Sequence, residues 1–134
     1  MMVDSRKICH SDNLIAGAYP AQGQKTMEEL IAEITTSADN ELKRANEKFP
    51  LFHSPHETYG VIAEEMQEMS DDNKELMRLF MTYFDNVCQN ELTYQKVCLT
   101  SIRDTAIHMA AETCQVAAMA QKALDSMDAG YQHS

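Results

Sequence analysis

The chain has 134 residues, 44% hydrophobic and 24% charged, a balance that predicts one globular domain rather than a disordered chain. Eleven Lys and Arg against 21 Asp and Glu leave a net charge of −10 and no basic cluster, which argues against duplex nucleic acid as a direct partner. No apolar run approaches the roughly 20 residues that cross a bilayer, and residues 1–17 lack the apolar core of a secretory signal, so the expectation is a cytoplasmic protein with no membrane partner.

Residues 1–23 hold two of the four glycines and Pro20, and read as a poorly ordered arm ahead of a single all-α domain over 24–128, with 129–134 as a tail. Neither Gly nor Pro occurs from Val61 to Ala129, a stretch rich in Ala, Leu, Met, Glu, Gln and Lys that favours helix. The first helix is expected from Thr26, with Glu29 as its capping-box partner, to Asn46, carrying Leu30, Ile31, Ile34, Ala38, Leu42 and Ala45 at helical spacing. Phe49-Pro50-Leu51-Phe52 ends it, because proline disfavours helix in the residue before it. Ser54-Pro55-His56-Glu57 then supplies an N-cap, a proline at the first helical position and an acidic third residue.

That second helix runs through Tyr59, Ile62, Met66 and Met69. Ser70 to Glu75 interrupts the apolar pattern, and a new cap at Asp72 predicts a third helix with Leu76, Leu79, Phe80, Tyr83, Phe84 and Val87 facing inward. The fourth and longest helix is expected over about Leu92 to Met127, apolar nearly all round its middle and therefore surrounded by other helices. The fold class is a four-helix-type bundle, with helices of a second copy completing the core in a homo-oligomer, a dimer or tetramer.

Three of the four cysteines, Cys88, Cys98 and Cys114, fall among apolar helical neighbours; with Cys9 they form no metal-binding spacing and read as free buried thiols in a reducing compartment. Cys114 and His108 are six residues apart on different sides of one helix, which gives no nucleophile–base pair. None of the five histidines has Glu three residues before it, so a ferritin-like di-iron bundle is excluded.

The acidic residues carry more. Glu64 and Glu68 are four apart, Glu65 and Glu68 three apart, so their like charges crowd one helical face. They form a solvated acidic face or they hold a divalent cation, and Mg²⁺ takes oxygen ligands of this kind. Asp104, His108, Glu112 and Gln115 fall on one broad side of the last helix, where a buried Glu112 requires a cation, a hydrogen-bonding network or an exposed cleft.

Glu64-Glu65-Met66-Gln67-Glu68 resembles the E-E-x-x-E element of the MazG-like all-α nucleoside triphosphate pyrophosphohydrolases, and Glu112-Thr113-Cys114-Gln115 resembles their E-x-x-D element. The segment from Phe49 to Glu57 is similar to the lead-in of phage and bacterial members. The likeness covers about Thr26 to Leu124, with Gln115 in place of the usual Asp and a longer stretch between the two elements.

The resemblance implies a nucleoside triphosphate substrate cleaved to monophosphate and pyrophosphate. It implies Mg²⁺, with Mn²⁺ as a substitute, held by Glu65, Glu68 and Glu112 with Gln115 at the fourth position. Glu64 would then accept the proton of the attacking water. Lys48, His53, His56, Arg103 and His108 are the candidate substrate contacts, and Phe49, Phe52 or Tyr59 could stack on a base. The competing reading is a non-catalytic helical interaction or nucleotide-binding protein with a solvated acidic face, which ten methionines suit equally well.

Overall fold

A computed structural model describes residues 24–131; the expected N-terminal arm over 1–23 and the last three residues of the tail lie outside the described residues. Helices α1 (Met27–Lys48), α2 (Pro55–Cys88) and α3 (Leu92–Asp128) account for nearly all of them, with no strand among the described residues. None of the described helices is long and apolar enough to cross a membrane. The chain forms two compact units that divide between Glu33 and Ile34, within α1.

In the first unit, α1 begins as its capping residues dictate. The Glu29 N–H donates to Thr26 Oγ1 at 3.1 Å, and the Thr26 N–H donates to Glu29 Oε2 at 3.3 Å, so two orphan donors are satisfied reciprocally. Lys25 pairs with Glu33 across this first stretch.

The second unit is built on an antiparallel hairpin of α2 and α3. Ser54 caps α2 by accepting the Glu57 N–H at 3.1 Å, with Pro55 in the first turn. The reciprocal bond is displaced by one residue: Glu57 Oε2 accepts from the His53 N–H at 3.0 Å rather than from Ser54. Both α2 and α3 end in Schellman motifs. Asn90, in left-handed conformation at φ 56°, lets the Glu91 N–H reach back to the Asn86 carbonyl at 2.9 Å. Gly130, at φ 76°, does the same for the Tyr131 N–H and the Ser126 carbonyl at 2.7 Å.

Two expectations need correction. The break at Asp72 is not there: α2 continues without interruption for 34 residues. Nothing between Ser70 and Glu75 forbids helix, Gln67 bonds Asp71 one turn on at 2.9 Å, and the Asp72 carboxylate reaches across to α3 instead of capping. The inward set on the C-terminal half of α2 is also narrower than expected. Leu79 is buried and Leu76 and Tyr83 are half-buried, whereas Phe80, Phe84 and Val87 are exposed. A helix packed against one neighbour covers only one stripe; the wider apolar face was read as inward because periodicity does not count neighbours.

The core sits mostly towards the N-terminal end of α2 and the C-terminal end of α3, where Phe52, Ala118 and Ala123 are buried. Ser126, fully buried, accepts the Phe52 N–H at 2.9 Å and donates to the Lys122 carbonyl at 2.7 Å. Lys122 is buried as well, its ammonium 4.8 Å over the Phe52 ring. Cys98, towards the hairpin turn, is buried beside Asn86.

Candidate metal centre

Midway along the hairpin, α2 and α3 bring three carboxylates together. Glu65 and Glu68 stand on one face of α2 because they are three residues apart, and Glu112 faces them from α3. One oxygen of each lies within 4.8 Å of the others. The Glu112 side chain is only 12% exposed. The Oε2 atoms of Glu65 and Glu112 are buried and accept no hydrogen bond from any of the described residues.

That arrangement is unfavourable in isolation, and the titration of the group reflects it. Burial pushes the Glu65 carboxyl above its ordinary value, and the Glu68 and Glu64 charges push it further. Glu112 is likewise raised, first by burial, then by its hydrogen-bonding contact and charge repulsion with Glu68; His108 opposes the shift. A divalent cation would satisfy the unpaired oxygens and reverse the repulsion, so the residues present fit one.

Around this centre the structure adds a pair of residues that the sequence did not single out together. His108 Nδ1 lies 2.6 Å from Asp72 Oδ2, and His108 Nε2 lies 3.8 Å from Glu112 Oε1. The bond to Asp72 raises the His108 pKa. The sequence signal for the place of Asp72 is its position one turn beyond Glu68, on the same face.

The other candidate residues are distributed unevenly. Glu64 is exposed and next to Glu65, close enough to raise its pKa. Gln115 is half-buried and lines a cavity of about 720 Å³ whose walls include Ile34, Asn40, Arg44, Ala111 and Cys114. Arg103 is exposed, paired with Asp104 at 3.0 Å. Nine residues before Glu112, it sits roughly 14 Å along α3 and half a turn round, on the other side of the helix. His56 lies the same roughly 14 Å before Glu65 on α2. Lys48 is exposed at the end of α1, and His53 is exposed just ahead of α2. Of the three aromatic candidates, Phe49 and Tyr59 are exposed, whereas Phe52 is committed to the core beneath Lys122.

Lys122 itself went unremarked in the sequence. Burial pulls its pKa down, and the Glu57 charge acts in the opposite direction. Its step of four between Ala118 and Ser126 is the signal, since those small residues leave room for its stem.

No family model, curated protein or solved structure matches this chain. The reading of the site therefore rests on its own geometry.

Proposed function

We propose that this protein is a Mg²⁺-dependent nucleoside triphosphate pyrophosphohydrolase of the MazG-like kind, acting in the cytoplasm as a homo-oligomer. The observation that carries the proposal is the convergence of Glu65, Glu68 and Glu112 from two helices, with the Oε2 atoms of Glu65 and Glu112 buried and without a donor among the described residues. Glu68 is exposed, but a wholly solvated acidic face would not bury an oxygen of both Glu65 and Glu112.

Glu65, Glu68 and Glu112 would hold the cation, with Gln115 on the adjoining turn of α3. Mg²⁺, when bound there, neutralises phosphate charge and makes the α-phosphorus more open to attack. Glu64, exposed beside Glu65, takes a proton from the attacking water. The water oxygen bonds to the α-phosphorus, the bond from that phosphorus to the α–β bridging oxygen breaks, and pyrophosphate leaves with the bridging oxygen. Arg103 and His56 each lie about 14 Å along their helices from the carboxylates, so a cation held by Glu65, Glu68 and Glu112 would supply the positive charge beside the phosphates.

What the hairpin leaves uncovered supports the homo-oligomer. Met77, Phe80, Met81, Phe84 and Val87 are all at least 41% exposed on α2, an apolar surface that a monomer rarely keeps. Two hairpins packed through such faces make a four-helix bundle.

The test is a panel of canonical and damaged (deoxy)nucleoside triphosphates incubated with Mg²⁺ and scored for pyrophosphate. Release that disappears in Glu112→Gln supports the assignment; no release at high protein concentration refutes it. The same exposed apolar face favours a second reading, a non-catalytic protein whose helices pack on a partner. That reading gains if thermal melting is indifferent to millimolar Mg²⁺ or Mn²⁺, because a specific site raises the midpoint by mass action.

A further inference from the structure

Asp72 and His108 form a second layer directly beyond the three carboxylates. Asp72 lies one turn past Glu68 on α2, and His108 lies one turn before Glu112 on the antiparallel α3, so the two layers stack. The His108 ring spans them. Its Nδ1 is engaged by Asp72 Oδ2 at 2.6 Å, a charge-assisted distance, and this bond turns Nε2 towards Glu112 Oε1, 3.8 Å away. The other Glu112 oxygen, Oε2, is buried with no donor among the described residues, and Glu112 belongs to the cluster with Glu65 and Glu68.

An exposed histidine ordinarily samples several rotamers, yet this one, 64% exposed, is tied to a carboxylate on another helix. We infer that Asp72 and His108 are positioning residues that hold one oxygen of Glu112 and leave the other directed at a bound divalent cation. The inference rests on the metal-binding part of the proposed function. It assigns His108 to the orientation of a ligand rather than to the substrate, and it gives Asp72 a role. Partners of this kind, behind a ligating carboxylate, fix its rotamer before the ion arrives, so their loss weakens binding without removing a ligand.

The experiment is a titration of the full chain with Mn²⁺ alone, read from the loss of the free-ion electron paramagnetic resonance signal. Metal-free melting curves run alongside to establish that each variant is folded. Asn places its amide nitrogen near the position of histidine Nδ1, and Gln near that of Nε2. His108→Asn therefore preserves the strap to Asp72 but not the contact with Glu112, and His108→Gln does the reverse.

The expected result is that His108→Ala, His108→Asn and Asp72→Ala each weaken Mn²⁺ binding by roughly 10- to 100-fold. His108→Gln, which keeps the contact with Glu112 but loses the strap, weakens binding as Asp72→Ala does, and Asp72→Ala adds little in the His108→Ala background, as members of one chain of contacts should. Wild-type affinity in His108→Ala, or in His108→Asn, overturns the inference while leaving the metal site standing. Absence of Mn²⁺ binding by the wild-type chain overturns both.

Discussion

Replacing Glu112 by Gln separates a metal-binding cluster from an incidental one, because the two assign opposite signs to its effect on stability. In metal-free protein at pH 8, Glu112 faces two like charges, Glu65 and Glu68, with oxygens within 4.8 Å. Two unit charges about 4.8 Å apart repel by roughly 1 kcal/mol in water and about 3 kcal/mol at an effective dielectric of ~20. Removing two such pairs relieves about 2–6 kcal/mol, less the solvent screening at the exposed Glu68. A net gain of about 1–3 kcal/mol is expected, which for a chain of this size raises the melting midpoint by roughly 5–10 °C.

The assay is calorimetric or circular-dichroism melting in EDTA, repeated with excess Mg²⁺ or Mn²⁺. Wild type should gain about 2.7 kcal/mol when the metal stands at about 100 times its Kd, and Glu112→Gln should gain almost nothing. The combination of a stabilised metal-free variant and a lost metal response is the signature of a site built to hold charge at a cost. A variant that melts at or below wild type in EDTA would refute the reasoning, as would one that still responds fully to Mn²⁺.

The same repulsion gives metal-free stability a pH dependence of definite sign. The folded pKa values of Glu65, Glu112 and His108 are all raised, so their contribution is fully present below the unfolded values and is lost as pH rises through the folded ones. The midpoint in EDTA should therefore fall between about pH 5 and pH 8, and the fall should flatten in Glu112→Gln. Ser126→Ala should destabilise by about 1–3 kcal/mol in a thermal or urea melt, because it leaves the buried Phe52 N–H without an acceptor. Asn90→Ala should cost about 1–2 kcal/mol for the left-handed turn at φ 56°, and Asn90→Gly should recover it, as read by urea midpoints. Sedimentation equilibrium should return a mass above one chain, and Phe80→Glu with Phe84→Glu should shift it to the monomer, since both rings are exposed on α2.

What was legible from residues alone is what acts within a turn or two of helix. Thr26 with Glu29, and Ser54 with Pro55 and Glu57, announce helix starts because a cap bonds donors two or three residues away. The adjacency of Glu65 and Glu68 is equally local, a consequence of 3.6 residues per turn. The Asp72 error belongs to the same level. A side chain that caps when it bonds its own backbone does something else when a histidine 36 residues away offers a shorter bond.

Whether Glu112 meets Glu65 and Glu68 was decided only by the tertiary structure. It depends on the register of two long helices, set at the Asn90 turn and by Phe52 locking onto Ser126 at the far end of the hairpin. A slip of one residue along either helix turns its side chains by about 100° and would send these carboxylates apart. Local propensity is the same in every register, so the all-helical character could be read from the chain, while the shared centre and the burial of Lys122 required the packing of distant segments.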